Sequence, residues 1–261
     1  MKVGIVGIGV VGAACKFGFE LLGHDVSVHD IKMKTKIEDV AHAEIVFVCV
    51  PTPSEEDGSC DTSIVEQVVY DLKDKNYNGI VAVKSTVSPG TTERLMEQTG
   101  LNICFVPEFL RERCAVTDFT ENHDICIIGT SDKETYRAVK NCHGSYPDKF
   151  VQLTTGEAEF CKYFNNVYNA MLITFANSFY EVCESVGVDY TNIKNAVVER
   201  KHINGNYLEC NKNFRGFGGM CLPKDTAALA SLAKNTKVDF FDDLLKENAK
   251  YRTTVFKGMR K

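Results

Sequence analysis

Near its N-terminus the chain runs Gly7-Ile8-Gly9-Val10-Val11-Gly12, and no other stretch restricts its folding as tightly. Residues 2–6, KVGIV, form a short β-branched run that reads as a buried strand, and residues 11–22 carry helical spacing. A strand that passes into a helix through G-x-G-x-x-G is a dinucleotide-binding crossover. The first glycine permits the tight turn, the second lets backbone approach a pyrophosphate, and the third lets the helix pack on the strand. An acidic residue should then close the second strand. Asp30 ends DVSVHD, 18 residues past Gly12, where it can accept from an adenosine ribose. Asp30 favours NAD, whereas Lys32, Lys34 and Lys36 behind it would suit the extra phosphate of NADP. The glycines could serve packing alone, but strand, helix and acid in this order favour the cofactor.

Further strand-like runs are 25–29, 44–50, 80–84, 102–106, 124–128 and 150–153. They are almost continuously apolar, as strands buried on both faces of a parallel sheet are. Helix-like segments lie at 62–75, 90–98 and 132–142, with Asp61 and Ser88 at N-cap positions and Pro89 at a first helical position. Residues 31–43 leave room for only two short helical turns. From Glu157 to Val186 the pattern changes to one uninterrupted helical period, in which Phe160, Phe164, Val167, Met171, Phe175, Phe179, Val182 and Val186 recur at 3–4 spacing. More helix is expected at 189–198, 224–235 and 239–257, around a Gly/Asn-rich loop at 202–221. The expected fold class is α/β: a Rossmann-type doubly wound sheet over residues 1–154, then an all-helical domain over 155–261 with a long central helix.

Eleven cysteines are scattered without C-x-x-C spacing. That pattern speaks against a disulfide framework or zinc site, so no metal is expected, and for a reducing, cytoplasmic setting. The 30 basic and 35 acidic residues leave a formal charge of −5, with no basic excess for nucleic acid, and no apolar run reaches the ~18 residues of a membrane span. Cys49 and Cys126 lie inside apolar strands and read as small core residues. Cys221 differs. It follows Gly218-Gly219-Met220 and precedes Leu222-Pro223-Lys224-Asp225, which places a thiol near a helix N-terminus and a lysine, the setting that favours thiolate.

A nucleophilic thiol beside a nicotinamide cofactor suits one reaction type. An aldehyde held as a thiohemiacetal loses hydride to give a thioester, which water releases as acid. That chemistry needs a base for the water and donors for the oxyanion. Glu108 and Glu112 bracket PEFLRE at the carboxyl end of a strand, and Lys162 and Asn166 share a helix face that Asn169 continues. Taken singly, each pair could equally be a solvated polar surface.

Together these residues resemble the UDP-glucose/GDP-mannose dehydrogenase family, the nucleotide-sugar dehydrogenases that make uronic acids. The matching pieces, in family order, are GIGVVG (7–12), VPTP (50–53), KSTVSPGTT (84–92), PEFLRE (107–112), EAEFCKYFNN (157–166) and GFGGMCLPKD (216–225). The resemblance implies two successive oxidations of a sugar CH₂OH to carboxylate with reduction of two NAD⁺, UDP-glucose being the foremost substrate. It assigns the catalytic thiol to Cys221, oxyanion donors to Lys162 and Asn166, an acid that positions water and the lysine to Asp225, the hydrolytic base to Glu108, and a contact with cofactor and water to Thr86. Cofactor contacts fall on Gly7, Gly9, Val10, Val11, Gly12, Asp30, Pro51, Thr86, Glu112 and Lys224. Substrate contacts fall on Glu108, Phe109, Leu110, Arg111, Lys162, Asn166, Tyr207, Gly218 and Cys221. It also implies a homodimer through the helix at 157–186.

The sequence departs from the family pattern in places that bear on substrate. Residues for the family's C-terminal nucleotide-binding domain are not found before Lys261, the crossover after Asp30 is short, and His202-Ile203-Asn204 stands where an Arg-Ile-Gly segment reaches substrate across a dimer. Arg113 occupies a position that is usually small, and the cysteine loop is longer by a few residues. Two other readings follow. A β-hydroxyacid or 6-phosphogluconate-type dehydrogenase would share the glycine turn and the Lys–Asn pair but would need one oxidation and no thiol. A chain lacking the third domain could instead depend on a separate nucleotide-binding partner.

Overall fold

The computed structural model describes residues 1–251. The chain divides into two compact units, one of residues 1–53 and 60–162, the other of residues 54–59 and from 163 onward.

The first unit is built on seven strands: β1 (Lys2–Val6), β2 (Asp25–His29), β3 (Ile45–Val48), β4 (Ile80–Val83), β5 (Asn102–Phe105), β6 (Ile125–Gly129) and β7 (Lys149–Leu153). Their order in the sheet is β2-β1-β3-β4-β5-β6-β7. Alternation along each strand divides its side chains between two cores. Val3, Ile5, Ile45, Phe47, Ala82 and Cys104 face one core. Helices α1 (Val10–Leu21), α4 (Ala115–Thr120) and α5 (Lys133–His143) supply Ala14, Phe19, Phe119 and Val139 to it. Val6, Val46, Val48, Val81, Val83, Ile103 and Phe105 face the other, which α2 (Ser63–Asp74) and α3 (Thr91–Thr99) complete with Val65, Val69, Leu72 and Leu95. Burial on both faces explains why these strands read as unbroken apolar runs rather than alternating ones. Residues 31–43 hold two 3₁₀ turns, Ile31–Met33 and Ile37–Asp39, the minimal crossover that the sequence leaves room for. The bare backbone of Gly4 admits Val40 there, since a Cβ at Gly4 would stand 2.9 Å from the Val40 Cβ.

The sheet is not wholly parallel. β6 runs antiparallel to β5 through the single pair Phe105↔Gly129, and β7 then pairs parallel to β6. The β5–β6 connection holds a 3₁₀ turn, Glu112–Cys114, and the six-residue α4, and an antiparallel neighbour needs no crossover across the sheet. Two expected helix starts also move. Helix α2 is capped at Thr62, while Asp61 accepts from the Ser63 amide at 2.8 Å one position earlier. Helix α3 begins after Gly90 at φ +90°, so Ser88 and Pro89 form the turn before it rather than its cap and first residue. Its capping acceptor comes from far along the chain. The buried Glu159 carboxylate accepts from Gly90 N (2.6 Å), Thr92 N (2.9 Å) and Thr92 Oγ1 (2.6 Å), meeting the amides that a helix N-terminus leaves unpaired.

Helix α6 (Thr155–Ser185) is one element of 31 residues. Its first two turns belong to the first unit and the rest, from Tyr163, to the second. The second unit continues with α7 (Tyr190–Val197), α8 (Leu222–Ala233) and α9 (Phe240–Ala249). The expected helix at 239–257 thus ends at Ala249, with its last residues outside those described. Val167 and Ala170 of α6 pack with Phe217 and Leu244, and Ala176 and Cys183 pack with Tyr190, Leu208 and Cys210. The 3–4 repeat that marked α6 in the sequence proves to be mostly its uncovered face: Phe164 is 75% exposed and Val186 66%, while Val167 is buried. Among the described residues no helix is long and apolar enough to cross a membrane.

The first unit contains a histidine-rich aromatic cluster with a pH consequence. His143 is fully buried against Phe19, Phe47 and Phe119. Burial holds its pKa well below the usual histidine range and lowers that of His123 to about 4. Both are neutral when folded but titrate near 6.5 when unfolded. Their contribution is complete above neutrality and is lost as pH falls through 6.5 towards 4; for His123 the loss is about 2 kcal/mol by pH 5. Glu159, whose pKa burial raises, works in the opposite direction. Thermal melts should therefore show Tm falling between pH 7.5 and 5, and His143→Phe should make that fall smaller.

Candidate active site

At the mouth of β1 the glycines have the forms their roles require. Gly7 has φ +90°, and a Cβ on it would stand 2.8 Å from the Cys49 carbonyl oxygen. A Cβ on Gly12 would stand 1.9 Å from the Gly7 oxygen, whereas one on Gly9 would meet nothing within 4 Å. The turn is thus closed beneath Gly7 and Gly12 and open above Gly9, at the N-cap of α1. That opening is where a pyrophosphate fits against the first amides of the helix, those of Val10 and Val11. Asp30 accepts from Ile8 N at 2.7 Å and Lys32 N at 2.8 Å, and these amides hold its carboxyl below the ordinary range. The bonds aim the carboxylate beside the turn, as a ribose acceptor must be. The residues fit a dinucleotide.

The carboxyl ends of β3, β4 and β5 carry the next group. Ser85 Oγ donates to Val50 O at 2.7 Å, which fixes the segment leading to the exposed Pro51. Thr86 is buried, and its carbonyl accepts from the Cys60 thiol at 3.3 Å. Glu108 follows β5. Its Oε2 accepts from Leu110 N at 2.8 Å, and Lys162 Nζ donates to its Oε1 at 2.9 Å and to its backbone oxygen at 2.6 Å. Lys162 and Glu108 have side chains only 4% and 12% exposed, so the pair is desolvated and its members depend on each other. Lys162 Nζ also lies 5.9 Å from the Phe109 ring centroid. Arg111 clamps Asp118 through Nε (2.9 Å) and Nη2 (2.6 Å), fixing the loop that leads to the exposed Glu112. The pairing gives Arg111 a structural task within the first unit.

In the second unit Cys221 is the N-cap residue of α8, with Pro223 in the first turn. Of the eleven cysteines it is the exposed one; the others are buried or half-buried. Burial pushes Cys104 and Cys126 up to about 12 and Cys210 up to about 11, which keeps them as inert thiols. Cys221 instead stands at the positive end of the α8 dipole. One turn on, Asp225 is fully buried. Its Oδ2 accepts from Asn166 Nδ2 at 2.5 Å, and its Oδ1 lies 2.7 Å from Lys224 Nζ. The Lys224 contact is at ion-pair distance but off the direction of a hydrogen bond, so Asn166 is the partner that orients the carboxylate. Gly218 is half-buried in the turn before Cys221. Tyr207 is 40% exposed at φ +65°, a backbone strain uncommon for an aromatic residue.

The structure thus brings Glu108 together with Lys162, and Asn166 together with Asp225 and Lys224. Lys162 and Asn166 are one helical turn apart on the buried face of α6, as their spacing required. Sequence reasoning missed Glu159, because a cap supplied from 67 residues away leaves no local signal.

The UDP-glucose/GDP-mannose dehydrogenase family matches through its NAD-binding domain at residues 31–146 and its central domain at residues 156–250. A GDP-mannose 6-dehydrogenase of Pseudomonas syringae pv. tomato is 29% identical over 98% of this chain and 70% of its own length. A UDP-glucose 6-dehydrogenase of Bacillus subtilis is 29% identical over 94% of this chain and 64% of its own. The solved UDP-glucose dehydrogenase of Pyrobaculum islandicum superposes with a TM-score of 0.87 at 28% identity, over 97% of this chain and 68% of that one. The chain spans about two thirds of the length of these relatives. With the two domain matches in family order and the glycine turn built for the cofactor, the chain belongs to the UDP-glucose/GDP-mannose dehydrogenase family, and its N-terminal part is that family's NAD-binding domain.

Proposed function

We propose that the chain oxidises a nucleotide sugar, UDP-glucose first among them, from primary alcohol to carboxylate in two NAD-dependent steps, with the second oxidation carried on Cys221. The observation that carries this reading is the exposed Cys221 thiol at the N-cap of α8, with the Asp225–Asn166 bond buried one turn behind it. A single-step hydroxyacid dehydrogenase has no use for such a thiol. NAD⁺, when bound, supplies the oxidising power, one hydride being taken up in each of the two oxidations and one proton released.

The protein's own groups supply the rest. The Cys221 sulfur adds to the aldehyde carbon and the carbonyl π pair moves to oxygen, giving a thiohemiacetal. Lys162 and Asn166 donate to that oxygen, and their burial strengthens the donation because little water competes. Asp225 holds Asn166 in its donor orientation. After the second hydride leaves, the carbon is a thioester of Cys221. Glu108 takes a proton from water, the hydroxide adds to the acyl carbon, and the C–S bond breaks to return the thiolate and release the carboxylate. Leu110 N and Lys162 Nζ donate to the Glu108 carboxylate and aim it for that transfer. Thr86, Pro51 and Glu112 belong on the cofactor side of this scheme with Gly7, Gly9, Gly12 and Asp30. Phe109, Leu110, Gly218 and Tyr207 belong on the substrate side. GDP-mannose is the second substrate to test, because a relative acting on it is as similar as one acting on UDP-glucose.

The homodimer belongs to the same proposal. Phe160, Phe164, Phe175, Phe179, Val182 and Val186 leave an apolar stripe along α6, more contiguous than scattered surface apolar residues, and a second copy of the helix is the occupant we assign to it.

Two outcomes are expected. Purified protein with NAD⁺ and UDP-glucose should form two NADH per sugar consumed, and Cys221→Ser should lower that four-electron turnover on the order of 10³-fold. One NADH per substrate would favour a single-step dehydrogenase, and no NADH with any nucleotide sugar would end the proposal. Light scattering should give the mass of two chains for the native protein and of one for a Phe164→Glu/Val182→Glu double variant; a native monomer would remove the dimer.

A further inference from the structure

The turn that carries Cys221 is secured by a residue that none of the roles above uses. Arg215 lies six positions before Cys221, and its side chain is only 9% exposed. Its guanidinium is stacked between two tyrosines, 4.7 Å from the Tyr180 ring centroid and 4.5 Å from that of Tyr251. Nε donates to Asn177 Oδ1 at 2.7 Å and Nη2 to the Glu181 carboxylate. Asn177, itself 1% exposed, also accepts from Gly216 N at 3.0 Å with the same oxygen. The next residue is gripped from α9: Phe217 N donates to Asn248 Oδ1 at 2.7 Å, and Asn248 Nδ2 donates back to Phe217 O at 2.9 Å.

Only Gly218, Gly219 and Met220 separate this anchor from Cys221. Gly219, in the middle of that turn, is at φ +76°. On the far side, the Asp225 amide donates to Cys221 O at 2.9 Å, and the Asp225 carboxylate is bonded to Asn166. The thiol is therefore strung between two fixed points on one helix, Asn177 through Arg215 and Gly216, and Asn166 through Asp225. A planar cation with five donors can satisfy two acceptors and two ring faces at once; an ammonium cannot.

We propose that Arg215 is a positioning residue for Cys221, setting where the Gly218–Met220 turn delivers the thiol. This rests on the chemistry proposed for Cys221. The test compares Arg215→Met, which keeps a long side chain between the tyrosines, and Arg215→Lys, which keeps the charge. Two readouts are used. The first is steady-state NADH formation from UDP-glucose. The second is the pH dependence of iodoacetamide alkylation at Cys221 without substrate, followed by mass spectrometry of its peptide, with the Cys161 peptide as an internal reference.

Arg215→Met should lower kcat roughly 10–100-fold with KM for NAD within about two-fold of wild type, and should displace the Cys221 alkylation profile while leaving that of Cys161 unchanged. Arg215→Lys should fall between Arg215→Met and wild type in both. A purely structural Arg215 would lower Tm yet leave kcat per folded molecule and the Cys221 profile unchanged in both variants, and that result overturns the proposal. If Arg215→Met does not fold, Arg215→Lys is held to the same criteria. If the wild-type protein forms no NADH, the parent reading fails, and the alkylation profiles alone decide whether Arg215 positions the thiol.

Discussion

The site depends first on a hydrogen bond between two side chains that water does not reach. Asp225 is fully buried and its carboxylate is held by the Asn166 amide at 2.5 Å. A buried carboxylate without partners would cost several kcal/mol; here α6 offers the Asn166 amide, and Lys224 stands at ion-pair distance from the other oxygen. Seating α8 fixes its N-cap, and the N-cap is Cys221. A polar pair in the interior thereby determines where an exposed thiol stands.

The same helix carries a second dependent pair one turn earlier. Lys162 gives its ammonium to the Glu108 side chain and backbone, and neither residue is well solvated. Removing one partner would strand the other's charge. In the proposed reaction that mutual dependence holds the base and the oxyanion donor in place together. It also explains why a 31-residue helix that is apolar on one face carries Lys162, Asn166 and Asn177 on its buried face.

Much of this was readable from the residues. The glycine turn and Asp30 give the cofactor fold because each glycine answers a steric demand, and the lysine–asparagine spacing gives a shared helix face because 3.6 residues make a turn. The apolar 3–4 repeat of α6 located the helix but not its core side, since Phe164 and Val186 remain exposed while Val167 is buried; periodicity reports that a stripe exists, not what covers it. What the sequence did not disclose is long-range. The antiparallel β6 meets β5 through one pair, Phe105 with Gly129, the α3 cap comes from Glu159, and the Arg215 clamp needs two tyrosines and an asparagine 38 positions away. No local pattern encodes such partners.

The central claim is that the acyl group passes through the Cys221 sulfur. Its most direct measurement is mass spectrometry of the Cys221 peptide after acid quench of a Glu108→Gln variant turning over UDP-glucose and NAD⁺, because loss of the base should let the thioester accumulate. The account predicts an adduct with the mass of the acyl nucleotide sugar on Cys221, removed by hydroxylamine. Uronic acid formation by that variant with Cys221 unmodified throughout would contradict it.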